Sequence, residues 1–529
     1  MSITVKPEIK TVSGVPNRAS SFARFAWPAG IFLLALLPRV IDLGRRPFWL
    51  DEMFTLQRAS LQPGALVVNS FQNHHMPSFF LMLAPLTHFG DPQFWLRLPS
   101  ALFGAAAVML VYLIAARIAG RLAGVLAALV LGFSPMALAF AQEARSYTME
   151  MTLILVALYG VTRLTLDLPA ASRNWRQANA GWLCFVLGTV AALDVLGDAL
   201  PWWLAANLIF LCLLGFSDHR RGLLRNLALA DAAILALTAP FYLVMLHFQT
   251  ESVTNALGWI PPLDASRLWY SLGSVYFMHV ADWVSFRFIS RDATPGVIWL
   301  TDAALLTVLC VAGWKLRRRP AVMAMLAVAL LFLPVLFVLI SLKHPIFLPR
   351  YLLWSAAPFA ILAGIGGAAL LERRAPGVAW AGVMGAGALL LVNALPYYAA
   401  ETKPRWDVAA QILASDVAPG DMLYLSDDGA LPILQHYLPA DAKATVLAHA
   451  GGDLAQARQA IASGKRVWVV YGHAGQNTGT AKEFFAKTKT LGEPSVVEGA
   501  GRRIAIVLYD PASHLAFCTQ LGMKDGICS

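Results

Sequence analysis

Residues 315–351 read KLRRRPAVMAMLAVALLFLPVLFVLISLKHPIFLPRY, and this stretch decides the fold. Lys315, Arg317, Arg318 and Arg319 come first. An uncharged apolar run over 321–342 follows, and at roughly 20 residues such a run crosses a bilayer as one helix. Lys343, His344, Arg350 and Tyr351 stand at its far end. A basic loop that opens an uncharged run of this length marks a membrane span with its start on the cytoplasmic side.

Working outward, the whole chain has this character. It has 529 residues, is 58% hydrophobic, has a mean hydropathy of +0.60 and carries only 14% charged residues. A soluble domain carries about 25% charge, so a soluble globular chain is excluded. The wealth of aliphatic and aromatic residues excludes disorder. Eleven apolar stretches are centred near 28–43, 101–116, 122–140, 147–165, 180–197, 200–216, 227–247, 297–314, 321–342, 351–371 and 378–396. The first carries Arg39 and Asp42 near its end, which places those charges at the interface. No small-residue cleavage site follows it, so it is expected to remain as a span.

With the N-terminus (Lys6, Lys10, Arg18, Arg24) in the cytoplasm, five connections must share that side. They hold Arg117 with Arg121, Arg163 through Arg176, Arg220 with Arg221 and Arg225, Lys315 with Arg317 to Arg319, and Arg373 with Arg374. All five are basic, which supports both the count and the direction. The net charge of +10 then needs no nucleic acid. The outer side holds two long loops, 44–100 and 248–296. Apolar patches in the first (48–50, 66–68, 79–83) suit short helices at the membrane surface. The aromatics of the second, including Trp259, Trp269, Tyr270, Tyr276, Phe277 and Trp283, suit an interfacial belt.

After Pro396 the chain turns polar. Apolar runs at 422–425, 467–471 and 504–509 read as buried strands, and helical patterns cover 406–415 and 454–461. A small α/β domain over 397–529 is therefore expected, outside the cytoplasm because the span count is odd. Cys518 and Cys528 fall there, so a disulfide is open to them. Cys184, Cys212 and Cys310 lie in spans and read as packing residues. No CxxC or Cys/His spacing suggests zinc, and no repeat marks two transporter halves.

Four outer segments carry candidate chemistry. Asp51 and Glu52 follow Phe48-Trp49-Leu50. They are either an exposed acidic pair or carboxyls lifted by partial burial to take a proton. His74 and His75 can bind a metal or orient a phosphate, or can be an interfacial pair. Gln142-Glu143-Ala144-Arg145-Ser146-Tyr147 is a very short loop. It holds either a structural ion pair or a carboxylate and a cation presented to a charged substrate. Lys343, His344, Arg350 and Tyr351 run against the cytoplasmic charge trend. They are either snorkelling anchors or a phosphate site at headgroup depth.

In this order and on one membrane side, the four segments resemble the GT-C class of membrane glycosyltransferases. The nearest branches are the bacterial proteins similar to dolichyl-phosphate-mannose–protein mannosyltransferases (family 39) and the aminoarabinose transferases of lipid A. The matching motifs read Asp51-Glu52, His75-Met76-Pro77-Ser78-Phe79-Phe80, Gln142 to Tyr147, and Arg350-Tyr351. The resemblance covers the membrane part and implies a GT-C fold over 1–396. It implies inverting transfer of a sugar from a polyprenyl-phosphate donor to an envelope lipid, glycan or protein at the periplasmic face of the inner membrane. Asp51 would be the base, with Glu52 able to share that role, and Glu143 the second carboxylate. Arg145, Lys343 and Arg350 would hold the departing phosphate, with Tyr147, His344 and Tyr351 beside them. His74 and His75 lie where relatives place a metal- or phosphate-contacting group, and a divalent metal is left open as a cofactor. Met76, Ser78 and Ser146 depart from the family pattern, and some relatives have Glu-Lys where this chain has His74-His75. A monomer is expected. A flippase for a lipid-linked sugar is the competing reading, kept by Asp194, Asp198 and Asp231, and an envelope scaffold is a third. The enzyme reading requires Asp51, Glu143 and Arg350 to meet in one outer cavity.

Overall fold

The structure is a computed structural model. It describes residues 18–173, 176, 178–248, 260, 262–278, 295–372, 374–399, 402–425, 430–447, 454–472, 488, 491–492, 494–500 and 504–511, without the side chains of 18–24, 198, 295 and 444. Trp259, Trp283, Cys518 and Cys528 lie outside the described residues.

The eleven apolar stretches are all helical. The helices are α1 (Arg18–Val40), α2 (Leu50–Ala59), α3 (Pro63–Gln72), α4 (Ser78–Leu83), α5 (Pro92–Ala119), α6 (Arg121–Gly132), α7 (Pro135–Ala141), α8 (Tyr147–Leu166), α9 (Leu168–Arg173), α10 (Asn179–Val195), α11 (Leu200–Leu213) and α12 (Arg220–Phe248). After them come α13 (Ala265–Tyr276), α14 (Pro295–Leu316), α15 (Pro320–Ser341), α16 (Ala356–Leu371) and α17 (Pro376–Ala399). Seven helical segments, at α5, α8, α12, α14, α15, 349–371 and α17, are long and apolar enough to cross a membrane. The stretch expected as one span over 122–140 is two helices, α6 and α7, bent by 66°. The remaining three stretches are shorter apolar helices at 25–40, 179–195 and 200–216. This is an integral membrane protein by its apolar helices.

Burial sorts the spans. The 349–371 segment is 83% buried and α8 67%, against 17% for both α12 and α14. The first two are therefore central, and the last two turn leucines such as Leu237, Leu243 and Leu306 outward, as lipid-facing helices do. Central helices approach closely through small residues. A Cβ added at Gly160 of α8 would stand 2.5 Å from the Gly181 carbonyl oxygen of α10.

The basic connections touch one another. Arg319 Nη1 donates to the Ile118 carbonyl at 2.9 Å, Arg173 Nε to His219 at 3.0 Å, and Lys315 Nζ to Glu372 at 2.6 Å. They gather at one end of the bundle. The candidate site lies among the connections of the other end, where the first loop forms the short helices α2, α3 and α4.

Beyond α17 the chain forms α18 (Trp406–Asp416), β1 (Met422–Leu425), α19 (Ala430–Tyr437), α20 (Ala440–Leu447), α21 (Leu454–Ala462), β2 (Val467–Tyr471), β3 (Val496–Ala500) and β4 (Ile504–Tyr509). The strand order is β1-β2-β4-β3. β1 is parallel to β2, while β4 is antiparallel to both neighbours. The three expected strands are present, and β3 is an addition. Trp406, Leu413, Ile433 and Trp468 pack into one apolar core with Met53 of α2, and Leu50 and Leu56 lie against it. The sheet region is thus seated directly on the helix that carries Asp51 and Glu52.

Candidate active site

Asp51 and Glu52 occupy the first turn of α2, where the helix dipole favours carboxylates. Successive residues of a helix point about 100° apart, so the two acids face different surroundings. Asp51 faces the site. Its Oδ2 accepts from Arg350 Nη1 at 3.0 Å and lies 4.0 Å from Arg145 Nη2, and its side chain is 22% exposed. Arg145 Nη1 also reaches the Asp51 carbonyl at 3.4 Å.

Glu52 faces inward and is fully buried. Arg97 of α5 grips it with two hydrogen bonds, Nε to Oε1 at 2.7 Å and Nη2 to Oε2 at 2.8 Å. The Ala144 amide donates to Oε1 at 2.9 Å. Burial opposes ionisation of Glu52, but the Arg97 guanidinium and the Lys403 ammonium outweigh it and hold the carboxyl below its usual range. Arg97 spends its remaining donors on the carbonyls of Leu43, Arg46 and Pro47, pinning the approach to α2. Both oxygens of Glu52 are engaged, which differs from the expectation that it shares the role of a base.

The 142–146 loop is delivered by the bend after α6. Ser134 caps α7 with Pro135 at its first position, so the chain turns there instead of continuing straight. Gln142 stitches the loop to the end of α1 and to α17. Its Nε2 donates to the Ile41 carbonyl at 2.7 Å and its Oε1 accepts from Tyr397 at 2.9 Å. Glu143 is buried, bonded through Oε1 to Lys403 Nζ, and its Oε2 has no protein donor. Burial raises its carboxyl above the usual range; Lys403 opposes this, and Glu52 and Asp51 add to it.

His75 sits among cations. Burial pushes its imidazole well below the usual value, and Arg145, Arg58, His74 and Arg350 push the same way, so it is neutral near pH 7. His74 has φ 59°, a left-handed conformation costly for a residue with a side chain. Both its ring nitrogens are buried without a protein partner, as are Arg145 Nε and Arg58 Nη1. Arg350 Nη2 lies 3.4 Å from the Tyr351 hydroxyl, and the Arg145 guanidinium is 5.8 Å from the Tyr147 ring centre. Lys343 and His344 are exposed and stand apart from this cluster.

A divalent metal does not fit the histidine pair. Three guanidinium groups act on His75, and they repel a further cation. Among the described residues no three His, Cys, Asp or Glu side chains converge as ligands.

Three residues that sequence reasoning did not assign to the site are central to it: Arg58, Arg97 and Lys403. Their signal was charge away from the basic connections. Arg58, Arg97 and Lys403 are 7%, 1% and 6% exposed, so these cations are built into the site and are not topogenic surface charges. Arg97 and Lys403 partner carboxylates, while Arg58 Nε donates to Asn69 at 2.9 Å. Asp194 and Asp231, which a transport path would use, are locally paired. Asp194 accepts from Ser78 at 2.5 Å and Asp231 from Trp203 at 2.7 Å.

The fold is that of the GT-C class: a polytopic helical bundle with an additional sheet region at its carboxyl end. Solved structures share it. ArnT from Cupriavidus metallidurans in the apo state superposes with a TM-score of 0.55 at 16% identity, covering 93% of this chain and 99% of that one. ArnT from the same organism bound to undecaprenyl phosphate gives 0.53 at 17%, covering 91% and 98%. The archaeal oligosaccharyltransferase AglB from Archaeoglobus fulgidus, in complex with an inhibitory peptide and a dolichol-phosphate, gives 0.51 at 12%, covering 90% and 69%. No protein-family model and no curated protein matches the chain.

Proposed function

We propose that the chain is an inverting glycosyltransferase that moves a sugar from a polyprenyl-phosphate donor to a hydroxyl of an envelope acceptor. The observation that carries this reading is the contact of Asp51 with Arg350 at 3.0 Å, with Arg145 alongside. A carboxylate flanked by two guanidinium groups can take a proton on one side while the cations receive a departing phosphate on the other. The neighbours solved with undecaprenyl phosphate and with dolichol-phosphate support the same donor class.

In this reading the acceptor oxygen attacks the anomeric carbon, its proton passes to Asp51, and the bond from that carbon to the phosphate oxygen breaks. The polyprenyl phosphate leaves with its negative charge. Among the described residues the cluster sets five cations, Arg58, Arg97, Arg145, Arg350 and Lys403, beside the carboxylates Asp51, Glu52 and Glu143, which leaves positive charge to receive it. Neutral His75 and the unpartnered His74 nitrogens are placed to hydrogen-bond to it. Glu52 is a positioning residue here, and Lys343 and His344 guide headgroups from the surface. Residues 1–396 form the membrane catalytic part and 397–529 a periplasmic α/β part, in a bacterial inner membrane.

Mass spectrometry of envelope lipids and glycans from a strain lacking the gene tests this. A sugar-sized mass should disappear, return with the wild type and stay absent with Asp51→Asn at matched membrane abundance. Full restoration by Asp51→Asn would remove Asp51 from the chemistry. A lipid-linked sugar that merely changes sides would establish the flippase instead.

A further inference from the structure

Lys403 comes from the segment just after α17, before the sheet region begins, yet it ends inside the site. Its side chain is 5% exposed, bonded to Glu143, 3.9 Å from Glu52 Oε2 and 5.0 Å from the Trp49 ring centre. Glu143 Oε2, in a loop far away in the chain, is buried with no protein donor. A buried carboxylate oxygen left without a hydrogen bond is costly, so such an atom points to a ligand.

We propose that Lys403 is a positioning residue that clamps Glu143 by one oxygen and presents the other to a hydroxyl of the sugar or its acceptor. The hydroxyl part of this assignment rests on the transferase reading; the clamp does not. The ammonium reaches Glu143 because the sheet region docks on α2 through Met53, Leu50 and Leu56, so the carboxyl-terminal region completes the site.

The charged and titratable groups around Glu143 come from several elements. Lys403 follows α17, Glu52 and Asp51 are on α2, Arg97 is on α5, Tyr397 is on α17, and Arg145 is on its own loop. Burial raises the Glu143 carboxyl, and the Lys403 ammonium opposes it more strongly than any other neighbour. Removing the ammonium must therefore raise that carboxyl further, whereas a guanidinium in its place must restore it.

The test is infrared titration of the full chain in lipid nanodiscs, following the protonated carboxyl band that Glu143→Gln abolishes. Lys403→Met should move the midpoint of that band up by about one pH unit or more, and Lys403→Arg should return it most of the way. In the transfer assay Lys403→Met and Glu143→Gln should each lower kcat/KM by at least about tenfold, the loss expected for one hydrogen bond to a charged group. The acid limb of the Lys403→Met profile should move with the band. A band that stays in place in Lys403→Met overturns the clamp even if activity falls, because a merely structural lysine would not move a carboxyl titration. Undiminished kcat/KM in Glu143→Gln overturns the hydroxyl contact. A wild type that transfers no sugar overturns the proposed function, while the infrared titration still decides the clamp.

Discussion

At the residue scale, two neighbouring acids meet different partners because a helix separates them by about 100°. Asp51 turns to Arg350 and Arg145, Glu52 to Arg97 and the Ala144 amide. The acidic pair was legible in the sequence, but its division of labour was not, since it depends on which side of α2 meets α5. Removing one partner of a buried ion pair leaves an uncompensated charge, at a cost of about 3–5 kcal/mol. Arg97→Met should therefore destabilise the protein by about that amount, read as a lowered melting temperature in detergent. The double variant with Glu52→Gln should recover part of the loss. A melting temperature unchanged in Arg97→Met would mean that the pair contributes nothing to holding α2 on α5.

At the element scale, apolar length located the long helical stretches of the membrane part. It did not locate the bend between α6 and α7. That bend comes from Ser134 and Pro135, a cap and a first-turn proline inside an otherwise continuous apolar run. Its consequence reaches the candidate site, because α7 ends at the loop that carries Glu143 and Arg145. The other end of that loop opens α8, whose close packing on α10 depends on Gly160. Gly160→Leu should wedge these helices apart, at a cost of about 1–3 kcal/mol or more for overpacking. Thermal unfolding of the purified variant measures it, and a fully stable Gly160→Leu would show that the contact yields without strain.

At the scale of the whole molecule, the sheet region is part of the site's construction. Tyr437 of α19 accepts from the Phe48 amide at 2.6 Å and from Gln93 at 2.8 Å, while Lys403 inserts between Glu143 and Glu52. A chain ending at 396 loses these contacts and bares the apolar side of α2 formed by Leu50, Met53 and Leu56. Such a fragment should insert in membranes but show fast proteolysis of the 44–100 segment relative to the full chain. Equal protection of that segment in both would argue that α2 holds its place without the sheet region.

The amino-acid sequence by itself determined the membrane class, the positions of the apolar helices, three of the four strands among the described residues and the four segments that carry the candidate chemistry. These follow from local composition: runs of apolar residues, basic loops, and carboxylates or imidazoles next to them. β3 escaped because VVEGA has no apolar run of its own and is held by pairing along β4. Only the tertiary structure decided that Asp51 meets Arg350, 299 residues away, and that Lys403 meets Glu143, 260 residues away. It also decided that Arg97 neutralises Glu52 and that Lys343 and His344 stay at the surface. Buried charges select partners by proximity in a low-dielectric interior, and that proximity is a property of how the helices pack, which no local stretch of sequence contains.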